Sequence, residues 1–219
     1  MRILDLFCCQ GGAGMGYLKS GFEVVGVDIN PQPLYPFEFH QADALEYLKA
    51  HGSEFDAVHA SPPCQAYSTI TPAEARGKHS QLIEPVREAL IELGVPYVIE
   101  NVEGARKHLV NPTKLCGSAF GLRVRRHRYF ETNWPLEGTT CQHKLQGQAV
   151  GVYGGHPDKR EYRRPDGSSR GVKATSVEDA SDALGGVDWM TWKGMAECVP
   201  PAYTCYIGAY LNHYLEQAA

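Results

Sequence analysis

No stretch of the 219 residues approaches the ~20 consecutive apolar residues that a membrane-spanning helix needs. The N-terminus lacks the charged-then-apolar pattern of a secretory signal and opens directly on the strand-like Ile3-Leu4-Asp5-Leu6-Phe7. A cytoplasmic protein with no membrane partner is therefore expected. Internal repeats and low-complexity tracts are missing, which excludes solenoids and linker-rich arrays. Cysteine pairs at ligand spacing are missing too. The seven cysteines are odd in number and irregularly placed, so a disulfide framework is excluded and a reducing compartment fits. Cys116, Cys141, His143 and His156 fall near one another, but without a Cys-x-x-Cys pair the expectation is that no metal is bound, a structural zinc being the alternative. Charge of one sign is also scarce. The formal net charge of -4 gives nucleic acid little to bind until it is divided along the chain. Residues 123–173 hold 11 Lys/Arg against 5 Asp/Glu, a net of +6, which leaves -10 for the remainder. One basic lobe on an acidic body suits a protein that meets phosphates with one face, and Arg160, Arg163 and Arg164 are its candidate contacts. A solvated basic loop is the plainer reading.

What is present points first to Ser61-Pro62-Pro63-Cys64-Gln65. The apolar run 55–60 reads as a buried strand, and two prolines then end both sheet pairing and helix formation. They aim the Cys64 thiol, and a thiolate is a strong nucleophile once its pKa is lowered. A buried structural cysteine is the alternative. Residues 66–79, with Ser68, Thr69 and Thr71, read as a mobile loop beside the thiol.

The remaining pattern alternates strand and helix, as in an α/β protein of one domain with an insertion. Strands are expected at 2–6, 23–28, 37–41, 55–60 and 96–99. Helices are expected after Asp43 to Ala50, over 80–93 with Leu82, Ile83, Val86, Leu90, Ile91 and Leu93 inward, and at the C-terminus with Tyr206, Ile207, Tyr210, Leu211 and Leu215 on one face. A glycine-rich turn, Gly11-Gly12-Ala13-Gly14, follows the first strand, and Asp28 ends the second. This pairing suits a nucleoside-bearing ligand with its ribose on the acid. The dinucleotide fingerprint is broken, since Tyr17 stands where the third glycine belongs, which disfavours NAD. Asp43 stands at a strand end or caps a helix. Glu100 and Asn101 follow the fifth strand, so a thiol and an acid meet at neighbouring strand ends as nucleophile and general acid.

The ordered set Asp5-Leu6-Phe7-Cys8-Cys9-Gln10-Gly11-Gly12, Pro62-Pro63-Cys64-Gln65, Glu100-Asn101-Val102 and Val124-Arg125-Arg126-His127-Arg128 resembles the cytosine-5 DNA methyltransferases. The likeness covers residues 1 to about 132 and about 189 to 215. It implies a Rossmann-like, S-adenosylmethionine-dependent methyltransferase fold. Residues 1–132 plus 189–219 would form the catalytic and cofactor-binding domain, and 133–188 a small inserted target-recognition lobe. The resemblance implies a cofactor site of Asp5, Phe7, Gly11, Gly12, Asp28, Ile29, Asp43, Ala44 and Pro62. In it Phe7 stacks on the adenine, Asp28 holds the ribose and Asp43 meets the adenine amine. It makes Cys64 the nucleophile at ring carbon 6 of a flipped cytosine. Glu100 is then the partner of ring nitrogen 3, Arg128 the contact to the base carbonyl, and Arg126 a support. Gln65, Ser68 and Asn101, with the lobe arginines, would meet DNA. A monomer is expected. RNA or a free cytosine nucleotide as substrate, or an inactive nucleic-acid-binding module, are the competing readings. Three positions depart from the pattern: Cys9 replaces a glycine, Val124 a glutamine, and Ala196-Glu197 the usual Gly-Asn.

Overall fold

A computed structural model describes residues 1–67, 74, 80–155, 157, 161–163 and 169–218. The expected loop at 66–79 lies mostly outside the described residues, as do Ser68, Arg160 and Arg164; of Arg163 only the backbone is described.

The centre is a seven-stranded sheet of β1 (Arg2–Leu6), β2 (Glu23–Asp28), β3 (Glu38–Gln41), β4 (Ala57–Ala60), β5 (Tyr97–Asn101), β6 (Thr113–Leu115) and β7 (Arg128–Thr132), in the order β3-β2-β1-β4-β5-β7-β6. The first five in that order are parallel; β7 runs antiparallel to both β5 and β6. Alternation along β1 sorts the core. Ile3 faces α1 (Gly12–Lys19) and α7 (Pro201–Ala218), where Tyr17, Tyr203, Ile207 and Leu211 are fully buried. Leu4 and Leu6 face α2 (Ala44–His51) and α3 (Ile83–Leu93), against Leu48, Val86 and Leu90. Asp5 shares the parity of Ile3, so the pleat turns its carboxylate toward α1. Helices α1 and α7 approach closely because Gly16 has no side chain; a Cβ there would collide with Thr204 and the Pro201 carbonyl.

Two boundaries move for local reasons. Helix α3 begins at Ile83 rather than residue 80, because Pro85 is tolerated in a first turn but not five residues inside a helix. With that start Ile83, Val86 and Leu90 form the buried stripe, and Ile91, expected inward, is 61% exposed. Strand β5 runs two residues past Ile99, because β7 continues to pair with it at Glu100↔Phe130 and Asn101↔Tyr129. Glu100 is thus a strand residue rather than a loop residue.

Residues 133–188 hold a small sheet of β8 (Val150–Gly151), β10 (Ser169–Lys173) and β9 (Glu161–Arg163) in that order, with short helices α4 (His143–Gln146) and α5 (Val177–Ala183). Val150, Val152, Ala180 and Leu184 pack into the same core as the α1/α7 face. Helix α6 (Trp192–Glu197) then leads back to α7. Among the described residues, no helix is long and apolar enough to cross a membrane.

Candidate active site

The turn from β1 into α1 is wound left-handed at three points, Phe7 (φ 59°), Cys9 (φ 46°) and Gly11 (φ 82°). Only the last is a glycine, and the conformation at Cys9 accounts for the glycine usual at that position. Asp28 organises the turn: its Oδ2 accepts from the Cys9 amide (3.1 Å) and its Oδ1 from the Asn30 amide (2.9 Å). Asp5 lies fully buried beneath. Tyr35 donates a hydrogen bond to its Oδ2 (3.3 Å), while Oδ1 accepts from no described residue. Burial pushes the Asp5 carboxyl up to about 7, against the pull of Tyr35 and the Gly14 amide.

Gln10 clasps the turn to the far end of the chain. Its carbonyl accepts from Trp189 Nε1 (2.8 Å), its Oε1 from the Thr191 amide (2.9 Å), and its Nε2 donates to Thr191 Oγ1 (3.1 Å). No residue-type signal in the sequence marked Gln10 for this role.

The Pro-Pro-Cys segment is fixed from two sides. Ser61 donates its amide to the Leu6 carbonyl (3.2 Å), and Asn101 Nδ2 donates to the Pro62 carbonyl (2.9 Å). Asn101 Oδ1 accepts from the Val102 amide, so this buried amide is consumed in holding the loop and does not face the cavity. Cys64 is half-buried. Burial and the Glu100 carboxylate push its thiol above the ordinary value, with Arg128 pulling the other way.

Glu100 is 5% exposed. Arg128 Nε stands 2.9 Å from Glu100 Oε1, an ion pair in which that oxygen accepts no aligned hydrogen bond. Burial raises the Glu100 carboxyl above its usual range, and Arg128 and Ser61 oppose the shift. A buried relay lies behind it: the Tyr17 hydroxyl is 2.9 Å from His59 Nδ1, and His59 Nε2 is 2.9 Å from Ser61 Oγ. Burial lowers His59 to about 3, so its ring is neutral. His59 was legible only as one residue of the apolar run before Ser61.

Arg126 has a different task. Its guanidinium donates to the carbonyls of Met195 (2.8 Å), Cys198 (2.6 Å), Val152 (2.5 Å) and Ala196 (3.3 Å). It joins the residues before β7 to the chain just after β8 and to the 195–198 segment ahead of α7, and it does not line the cavity. Val124, in place of the glutamine, is buried in the core, and Gln146 donates to its carbonyl (3.0 Å).

These elements enclose a cavity of about 590 Å³ along the carboxyl edge of the parallel strands. Asp5, Phe7, Gly12, Asp28 and Ile29 line one end; Pro62, Cys64, Gln65, Glu100 and Arg128 line the other; Lys193 and Glu197 close it from α6. Three residues of the expected cofactor set stand outside its wall. Asp43 caps α2, its Oδ1 accepting from the Leu45 and Glu46 amides. Ala44 is buried in the core, and Gly11 is packed against Tyr35 and Pro36.

Away from the cavity, Cys116, Cys141 and His143 do come together, with His127 as the fourth member among the described residues. The missing Cys-x-x-Cys pair was thus no guide to whether these side chains meet. His156 lies outside the described residues.

No protein-family model matches the chain. It is 28% identical over 120 residues to the Type II methyltransferase M.HgiDI of Herpetosiphon aurantiacus, a match covering 48% of this chain and 38% of that protein. It is 29% identical over 120 residues to M.HgiGI from the same organism, covering 48% of this chain and 94% of that one. Among solved structures it resembles a prophage-encoded E. coli protein assigned as a DNA modification methyltransferase (TM-score 0.63, 16% identity, 99% of each chain). It also resembles the S. pombe Dnmt2 methyltransferase (TM-score 0.57, 12% identity, 100% of this chain and 99% of that one). The fold is therefore the Rossmann-like one of the methyltransferases. In its ordered motifs and in these likenesses the chain is similar to the small cytosine-5 methyltransferase-type proteins.

Proposed function

We propose that this protein methylates carbon 5 of cytosine in DNA, with S-adenosylmethionine as donor and Cys64 as covalent nucleophile. The observation that carries the reading is that Cys64, Glu100 and Arg128 share one cavity with Asp5 and Asp28. The two ends suit different partners. Asp28 at the first end and Glu197 on α6 bring carboxylates to the cavity, and Asp5 adds a buried carboxyl whose Oδ1 accepts from no described residue, a set that suits a cationic sulfonium better than the pyrophosphate of a nicotinamide dinucleotide. When bound, S-adenosylmethionine supplies a methyl group as an electrophile.

The chain's own residues make the acceptor. An unsubstituted pyrimidine carbon 5 is a poor nucleophile. The Cys64 thiolate adds to carbon 6, and the ring electrons move toward carbon 5 and ring nitrogen 3. Glu100, held protonated more readily by burial, donates at nitrogen 3 and absorbs that charge. Arg128 offers its guanidinium to the base carbonyl oxygen. After methylation the carbon 5 proton leaves to solvent, its bonding electrons re-form the carbon 5–carbon 6 double bond as Cys64 departs as thiolate, and nitrogen 3 returns its proton to Glu100. Reaching the ring requires a base that has left its stack or a single-stranded substrate.

The deciding experiment offers methyl-labelled S-adenosylmethionine with duplex DNA, single-stranded DNA, RNA and cytosine nucleotides in separate reactions, followed by digestion to nucleosides. Label in 5-methylcytosine from DNA is the expected result; label at a ring-exocyclic nitrogen, or only in RNA or nucleotide, overturns it. Asp28→Ala should weaken S-adenosylmethionine binding by about 1–3 kcal/mol in calorimetry, since it removes a charged acceptor and loosens the Cys9 turn. DNA affinity should fall steeply with salt, and neutralising Arg160, Arg163 and Arg164 should flatten the log–log slope by roughly 0.9 for each phosphate that is no longer neutralised. An unchanged slope would make the basic run a solvated surface.

A further inference from the structure

We propose that Cys116, His127, Cys141 and His143 bind one structural zinc ion. Their ligand atoms all lie within 4.8 Å of one another. The separations are Cys116 Sγ to His143 Nε2 3.2 Å, His127 Nε2 to His143 Nε2 3.3 Å, and Cys141 Sγ to His127 Nε2 3.5 Å. A tetrahedral zinc with ordinary Zn–S and Zn–N bonds sets nitrogen–nitrogen edges of about 3.3 Å and sulfur–nitrogen edges of about 3.5 Å. The measured edges agree with those of such a tetrahedron. Two thiols and two imidazoles are a ligand set that selects zinc over hard cations.

The surroundings fit a closed site. Four protein ligands leave no position for water or substrate, so the ion is structural. Both cysteines are free thiols. On binding, each loses its proton to solvent, and two thiolates cancel the dication's charge. That neutrality matters because Lys114 and Arg125 stand near both imidazoles. Ser118 Oγ lies 3.1 Å from Cys116 Sγ and accepts from the Gln142 amide (2.9 Å), tying the loop after Cys116 to the Cys141–His143 segment.

The four ligands come from three places: the end of β6, the residue before β7, and the segment leading into α4. The ion would pin the antiparallel edge of the sheet to the start of the inserted segment. His127 lies between Arg126, which holds the segment before α7, and Arg128, which holds Glu100. A metal that fixes His127 fixes the register of both arginines.

The test uses the full-length protein purified without chelator under reducing conditions. Elemental analysis should find zinc at about one per chain, and cobalt exchanged into the site should show tetrahedral ligand-field bands with a sulfur-to-cobalt charge-transfer band. Cys141→Ser and His143→Ala should each retain at least tenfold less metal, while Cys205→Ser, outside the cluster, should match wild type. Chelation of wild-type protein should lower its melting temperature, and zinc should restore it. A wild-type protein that takes up neither zinc nor cobalt overturns the proposal, as does a Cys116–Cys141 disulfide in the reduced preparation. Retention of metal by His127→Ala with loss in His156→Ala would overturn this ligand set. Should Cys141→Ser fail to fold, the wild-type cobalt spectrum still decides.

Discussion

Cys64→Ser should lose methyl transfer by on the order of a thousandfold or more, because the hydroxyl is far less acidic than the thiol and the adduct no longer forms. Loss of activity alone does not identify a nucleophile, so two further readouts decide. DNA carrying 5-fluorocytosine should trap wild-type protein in a denaturation-resistant complex that requires S-adenosylmethionine, since fluorine cannot leave carbon 5 as a proton does. The complex should be absent with Cys64→Ser, and an adduct that survives the substitution would show that another cysteine attacks. The second readout separates Glu100 from a thiol-activating base. The Glu100 carboxylate raises the Cys64 thiol and Arg128 lowers it. Glu100→Gln should therefore speed alkylation of Cys64 by iodoacetamide at neutral pH, although it slows methyl transfer by about a hundredfold or more. Arg128→Ala should slow alkylation. Slower alkylation in Glu100→Gln would make Glu100 the base that activates the thiol, and the assigned roles would be wrong.

The second large effect is hidden in wild-type protein. Asp5 is held at about 7 against an ordinary 3.8, and His59 at about 3 against an ordinary 6.5, each chiefly by burial. From pH 4 to 7 the native state keeps a proton on Asp5 that the unfolded chain has released, so this group lowers stability as pH rises. From pH 6.5 down to 3 the unfolded chain protonates His59 and the native state does not, so this group lowers stability as pH falls. Each spans about 4–5 kcal/mol, with slopes of roughly 1.4 kcal/mol per pH unit and opposite sign. Between pH 4 and 6.5 they cancel. Asp5→Asn should leave the His59 slope exposed, with stability rising with pH across that window, and should be the more stable protein at pH 7. His59→Gln should leave the Asp5 slope, with stability falling from pH 4 to 7. Urea midpoints at unit pH steps check this; an Asp5→Asn curve parallel to wild type would show that Asp5 ionises normally. The greater stability of Asp5→Asn should come with weaker S-adenosylmethionine binding, since the costly buried oxygen faces that end of the cavity.

The parallel half of the sheet was readable because its strands are short apolar runs that stop at chemically distinctive residues. β1 and β2 lie where the pattern puts them, with Asp28 closing β2. The pattern could not reveal which polar groups point inward and find partners. Asn101 and Arg126 carry side chains suited to contacting substrate, yet Asn101 is used up on the Pro62 carbonyl and the Val102 amide, and Arg126 on carbonyls of distant chain. Asp43 was ambiguous between ligand and cap, and its bonds to Leu45 and Glu46 are those of a cap. The converse failure is His59, whose relay exists only because α1 lays Tyr17 across β4. The Cys/His cluster was obscured for the same reason, its members being spread over 28 residues and joined by the turn back from β6 into β7.

The clasp between Gln10 and Thr191 spans 181 residues, and that between Asn212 and Ser20 spans 192. The wall of the cavity is therefore synthesised well after its floor. A nascent chain that has emerged only through the small sheet can pair β1 with β2 and β4, but it has nothing to close over the β1–α1 turn. Until α6 and α7 arrive, Tyr17 and Ile3 lack their cover and present an apolar face. Closure of the cavity must await synthesis of α6 and α7, and folding of this α/β protein should be slow for its size, because these contacts join segments far apart in sequence.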